Sequence, residues 1–209
     1  GWPNNVFLTP DKKPFFAATY LPKETRYGMK GMLDLIPEIK KLWENNSEEL
    51  LKTANEITTT LQKFTKYNEG QEITKTTLEK TYNQLFHSFD EIYGGFGAQP
   101  KFPTPHNLLF LLRYWKRTGV KYSLKMVETT LEQMRQGGIY DHLGFGFHRY
   151  STDNQWILPH FEKMLYDQAL LIIAYTEAFQ ATKKQIFKKT AEEIIEYVLR
   201  DMSSQQGGF

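Results

Sequence analysis

Three of the chain's five histidines, His142, His148 and His160, lie close together. Asp141, Arg149, Tyr150, Trp156, Glu162, Lys163, Tyr166 and Asp167 sit among or just after them. Rings that give shape, with a few polar groups that give orientation, are what a small-molecule site needs. Histidine carries protons near neutral pH and a carboxylate can orient it, so the chemistry suggested is general acid–base catalysis. In that reading His160, with His148 or His142, is the acid/base pair. Asp141 and Glu162 act as orienters or acids, Arg149 clamps an anion or hydroxyl, and Trp156 is a stacking wall. Tyr150, Lys163, Tyr166 and Asp167 complete the binding surface. A metal centre is a poor fit, because the histidines lack the HExxH spacing and the chain has no cysteine. A serine nucleophile would need a Gly-x-Ser-x-Gly elbow, which is absent. His87, His106, Asp90 and Glu91 are more isolated and are given no role.

These residues need elements to hold them. Gly137-Gly138 ends a helical pattern, and Gly144 and Gly146 allow a tight turn between aromatics. Asp153-Asn154 marks another turn, and Pro159 reads as the first turn of a helix running to Thr182. On that helix His160, Lys163, Met164 and Asp167 would share one face, with Glu162 and Tyr166 beside it. Its continuation from Ala169 to Tyr175 is almost wholly apolar, so it is expected to be an inner helix whose polar end faces a cavity. Phe145, Phe147 and Phe161 are expected to be packing residues.

Elsewhere, Val6–Thr9 and Pro14–Tyr20 read as a β-hairpin around Pro10–Lys13. Residues 29–66 are helical in period, with Pro37 as a kink or a new start, and Glu69-Gly70 ends them. Further helices are expected over Lys75–Glu91 after a Thr74 cap, His106–Thr118, Ser123–Gln136 and Lys184–Ser203. Gly-Gly-Phe at 94–96, Gly-Gly-Ile at 137–139 and Gly-Gly-Phe at 207–209 each follow an amphipathic helix, which reads as an internal repeat of helical hairpins. The fold expected is mainly α: a partial (α/α)6 toroid preceded by a β-hairpin, with an α-solenoid or orthogonal bundle as the rival.

The balance of charge is +2, with both signs interspersed, which argues against a nucleic-acid surface. No run of eighteen apolar residues or signal-peptide pattern is present, so no membrane partner is expected and the protein is placed in the cytoplasm. No cofactor is expected.

Three patches together resemble a known family, the thioredoxin-domain-containing proteins of the domain-of-unknown-function-255 group, which includes the spermatogenesis-associated protein twenty of animals. They are Gly1-Trp2-Pro3 through Thr19-Tyr20-Leu21-Pro22, Gly94 to Pro103, and Gly137 to Asp167. One departure is Phe145, where that family's pattern leads us to expect glycine. The resemblance implies a thioredoxin-like domain followed by a six-hairpin α/α barrel similar to N-acylglucosamine 2-epimerases and glycosidases. It places the end of the first domain at 1–27 and part of the barrel at 28–209, makes Pro3 a cis-proline, and marks the chain as a fragment. The function implied is a carbohydrate-active enzyme, epimerase-like or glycosidase-like, acting on a sugar-like ligand. The alternative is a non-catalytic ligand- or protein-binding module coupled to the thioredoxin-like domain. Six hairpins need twelve helices and this chain has about six or seven, so a homodimer covering the open barrel edge is expected.

Overall fold

A computed structural model describes residues 4–65 and 72–209. The expected cis-proline at Pro3 and the helix break at Glu69-Gly70 lie outside the described residues. The chain divides into two compact units, Gly1–Glu72 and Ile73–Phe209.

In the first unit, β1 (Asn5–Leu8) and β2 (Pro14–Ala18) form an antiparallel hairpin with Phe7 opposite Phe16. Two helices follow, α1 (Met32–Asn45) and α2 (Ser47–Thr65), and α2 packs on β2. The break between them falls at Asn46, while Pro37 is accommodated inside α1. Because α2 lies on the hairpin, compact packing runs well past residue 27, where the sequence reading placed a boundary.

The second unit contains α3 (Lys75–Ser88), α4 (Pro105–Thr118), α5 (Lys121–Gln136), α6 (Leu165–Thr182) and α7 (Gln185–Asp201). Tight links close α4 onto α5 through Gly119 and α6 onto α7 through Lys183, both left-handed. The other connections are long loops, 89–104 and 137–164. Helices α4 and α6 pack on each other, and α5 and α7 pack on α4 and α6 in turn. Leu108, Leu111, Met126, Leu131, Leu171, Tyr175, Phe187 and Ile194 form the core between these layers. Among the described residues, no helix is long and apolar enough to cross a membrane.

Two expected helix starts are corrected. Ser123 is buried within the first turns of α5 and does not cap it, since the cap position is Val120. More importantly, α6 begins at Leu165 and not at Pro159. Pro159-His160 is instead a strand, β4, paired antiparallel with β3, Tyr150-Ser151. The cause is Asp153, whose carboxylate accepts from the backbone N–H groups of Gln155, Ile157 and Leu158 and wraps the intervening turn. The shared helical face expected for His160, Lys163 and Asp167 therefore does not exist.

The two long loops are copies of one mould. In the first, Asp90 Oδ1 accepts from the N–H groups of Ile92 and Tyr93, while Lys101 Nζ bonds Asp90 Oδ2 (2.7 Å) and the Gly94 carbonyl (2.9 Å). In the second, Asp141 Oδ1 accepts from Leu143 and Gly144, while Lys163 Nζ bonds Asp141 Oδ2 (2.7 Å) and the Phe145 carbonyl (2.8 Å). The true counterpart of Gly94-Gly95-Phe96 is thus Phe145-Gly146-Phe147, and not Gly137-Gly138-Ile139. That equivalence accounts for the departure at Phe145: its φ of +64° matches the +68° of Gly94, a left-handed conformation that glycine adopts at no steric cost.

Gly95 is constrained twice, by a φ of +79° and by the Trp156 ring, whose Cζ2 would lie 2.6 Å from an added Cβ. Gly95→Ala should therefore lower stability by at least about 1–2 kcal/mol in chemical unfolding, from the backbone alone. An unchanged midpoint would mean that the loop is not held in this mould.

Candidate functional site

The second loop differs from the first by what it carries. The run between Gly97 and Lys101 is only 98–100, whereas between His148 and Lys163 it is 149–162, the segment that contains the β3–β4 hairpin. Nearly all the sequence-predicted site residues fall on or beside this insertion. Lys101 and Ser151 exchange backbone hydrogen bonds, which fixes the hairpin to the first loop. The fully buried Gln168 fixes its other side: its Oε1 accepts from the Phe147 N–H (2.8 Å) and its Nε2 donates to the Phe147 carbonyl (2.7 Å). Residues 147 and 148 are thereby held against the first turn of α6, where Asp167 precedes Gln168.

Two polar groups here have buried atoms without partners among the described residues, and a third is a largely buried carboxylate. His148 is 9% exposed and its buried Nδ1 has none; burial, with Lys163 nearby, pushes its pKa below the usual histidine value. Arg149 gives Nη1 to Glu162 at 2.8 Å, but its Nε is buried and unpartnered. Asp167 is 9% exposed and receives no hydrogen bond among the described residues. Burial raises its pKa to about 6, with the Arg149 charge pulling the other way. Buried polar groups are nearly always satisfied, so His148 Nδ1 and Arg149 Nε without partners among the described residues, beside a carboxylate of raised pKa, point to a place where another molecule supplies them.

Rings border these groups. Phe161 stands edge-on to His148 with centroids 5.2 Å apart, and His160 stacks on Tyr150 at 4.8 Å, which meets Phe102 at 4.9 Å. His160 Nδ1 lies 3.5 Å from Glu162 Oε2. Tyr166 is exposed at the start of α6.

Other expected members are placed elsewhere or occupied. His142 turns away: its Nε2 meets the Gly137 carbonyl and its Nδ1 faces Arg135 Nη1 at 3.2 Å, beside Glu193 and Tyr140. Asp141 is tied up in the loop. Burial disfavours its charge, but Lys163 and the N–H groups of Gly144 and Leu143 outweigh that and hold its pKa to about 2. Trp156 is fully buried, gives its Nε1–H to the Tyr93 carbonyl at 2.7 Å, and has Lys101 over its ring, so it anchors the hairpin and offers no stacking face. Conversely Phe161, expected to be packing, is 76% exposed. Phe102 and Phe161 are the rings that the sequence reading missed; the alternation Arg149-Tyr150-Ser151 and Pro159-His160-Phe161 around an Asp-led turn was the available signal.

A family model described as "Protein of unknown function, DUF255" matches residues 1–62. The human spermatogenesis-associated protein 20 is 42% identical over 218 residues, covering 100% of this chain, and a Caenorhabditis elegans protein, B0495.5, described as uncharacterized, is 38% identical over 218 residues. The chain belongs to the DUF255 group. It spans 28% of the human relative's length and 29% of the nematode one's. Among solved structures, a cellobiose 2-epimerase from Bacillus thermoamylovorans superposes with a TM-score of 0.53 at 15% identity, covering 64% of this chain and 39% of that one. A D-mannose isomerase also gives 0.53, at 16% identity, covering 77% and 43%. These likenesses show the fold, that of a six-hairpin α/α barrel, of which the chain supplies part.

The raised pKa of Asp167 predicts a pH signature. The unfolded chain releases this proton near 3.8 and the folded chain near 6, so ionising Asp167 costs stability increasingly between those values. Asp167→Asn should therefore be more stable than the parent at pH 7, by about 2 kcal/mol, and equal to it near pH 4. Urea unfolding at both pH values reads this directly; a variant less stable at pH 7 would show that the carboxylate is satisfied.

Proposed function

We propose that the second loop and the start of α6 form an acid–base site acting on a sugar, in the manner of an epimerase or isomerase. The observation that carries this reading is His148, whose buried Nδ1 has no partner among the described residues, on a loop that Gln168 ties to the first turn of α6, where the largely buried Asp167 lies. His148 stays a free base around neutrality and Asp167 exchanges its proton near pH 6, and an efficient proton carrier has its pKa near the working pH. Epimerisation or aldose–ketose isomerisation needs a proton removed from the carbon next to a carbonyl and one returned. His148 and Asp167 take those roles, and Arg149 Nε steadies the developing oxyanion. His160 and Glu162 form the outer wall, while Tyr150 and Tyr166 border the entrance. Asp141 and Lys163 position His148 through the loop they close. The sugar epimerase and isomerase neighbours support the same chemistry by fold alone.

The test is incorporation of deuterium at C2 when the protein is incubated in D2O with cellobiose, mannose and N-acylglucosamines. His148→Gln and Asp167→Asn should each lower the exchange rate by about 10²–10⁴-fold. Sugar that binds without exchange would favour the non-catalytic binding module instead.

We also propose that self-association covers an apolar edge, since Ile173 on α6 and Ile195 and Leu199 on α7 are exposed. Light scattering should show mass rising with concentration above 24.6 kDa, and Ile173→Asp should abolish the rise. A monomer at every concentration would remove this part of the proposal.

A further inference from the structure

The charges around the candidate site are paired in a way that bears on which sugars it takes. Arg149 is held by Glu162 at 2.8 Å, and Lys163 by Asp141 at 2.7 Å. Each nearby cation therefore already has its carboxylate. The remaining group is Asp167, buried, without a hydrogen bond among the described residues, and ionised above about pH 6. His148 adds no charge, because burial keeps it neutral. At neutral pH the charges here, Arg149, Lys163, Asp141, Glu162 and Asp167, thus sum to one negative charge, which disfavours an anionic ligand.

The unpartnered atoms give the complementary pattern. Arg149 Nε is a buried donor without an acceptor among the described residues, and the Asp167 carboxylate, close enough to feel the Arg149 charge, is an acceptor open to a ligand. Two neighbouring hydroxyls satisfy both, one accepting from Arg149 and the other donating to Asp167. A phosphate or carboxylate satisfies the first and is repelled by the second. The exposed ring of Phe161, edge-on to His148, supplies an apolar face at the same place, and it is a large exposed aromatic in contact with one of the partnerless groups.

We propose that the ligand is a neutral pyranose-like ring packed on Phe161, with one hydroxyl on Arg149 Nε and its neighbour on Asp167, and that Asp167 excludes sugar phosphates and uronates. This inference rests on the sugar-site reading above. It adds two specificity-determining residues, Phe161 and Asp167, and assigns each a different effect.

The experiment is titration calorimetry at pH 7.5 with paired probes, glucose and mannose against glucuronate and mannose 6-phosphate, on the parent protein, Phe161→Ala, Phe161→Tyr and Asp167→Asn. Glucose or mannose should bind the parent more tightly than its anionic counterpart. Phe161→Ala should weaken neutral sugars by about tenfold, and Phe161→Tyr should restore them. Asp167→Asn should tighten the anionic probes by about tenfold or more, because the repelling charge is gone while the amide keeps its carbonyl acceptor. Three outcomes overturn the proposal: anions binding the parent as tightly as neutral sugars, Phe161→Ala binding as the parent does, or Asp167→Asn leaving the discrimination unchanged. If these occur while deuterium exchange still depends on His148, the acid–base reading survives and only the specificity is refuted. If none of the four probes binds the parent, this proposal falls, and deuterium exchange with cellobiose and N-acylglucosamines decides the acid–base reading separately. Melting curves of each variant, expected within a few degrees of the parent for Phe161→Ala because that ring is exposed, exclude unfolding as the cause.

Discussion

A lysine ammonium drawn into a loop by an aspartate is the interaction on which the site end of the second unit depends. Lys101 is fully buried, and its three donors are used by Asp90, the Gly94 carbonyl and the Asn154 carbonyl at 2.7–2.9 Å. A buried charge is tolerable only when paired and fully hydrogen-bonded, and this one is. Because one of the three acceptors belongs to the hairpin insertion, the same ammonium closes the first loop and anchors the second. Lys163 repeats the device with Asp141 and the Phe145 carbonyl, beneath the Tyr197 ring at 4.3 Å. The loops before α4 and α6 are therefore rigid for an electrostatic reason, although they contain little regular secondary structure.

This duplication separates scaffold from chemistry. Asp90, Gly95, Phe96 and Lys101 have counterparts in Asp141, Gly146, Phe147 and Lys163. Where the first copy has Gly97 and a short link, the second has His148 and a hairpin. What two repeats share is what the fold needs, and what one has alone is a candidate for function. By that criterion Asp141 and Lys163 belong to the framework, while His148, Arg149, His160 and Phe161 do not. Asp167, on the first turn of α6 beside the second loop, joins them as a carboxylate whose pKa burial raises.

Much of this was legible in the sequence. Helical periodicity placed α3, α4, α5, α7 and the body of α6, turn residues placed the hairpin of the first unit, and the cluster from Asp141 to Asp167 stood out by residue type alone. What could not be read was direction. A proline followed by charged residues fits a helix start as well as a strand, and only the Asp153 side chain, collecting three backbone N–H groups, decides for the strand. Trp156 and Phe161 exchanged their expected environments for the same reason: neither lies on a helix, since Trp156 sits in the turn at a φ of +66° and Phe161 just past β4, so helical spacing does not tell which ring is buried. The unit boundary was obscured similarly, since α1 and α2 have ordinary amphipathic periods that do not reveal which surface they cover.

The hairpin's two ends enter and leave side by side, with Tyr150 opposite His160 and Ser151 opposite Pro159. A segment whose termini are neighbours can be lengthened, shortened or exchanged without moving the helices it joins. The barrel end then behaves as a socket and the segment as an insert with two fixed pins, the Asn154 carbonyl on Lys101 and the Trp156 ring, so that the exposed positions between and beyond those pins can vary while the paired stem and the buried lysine stay as they are.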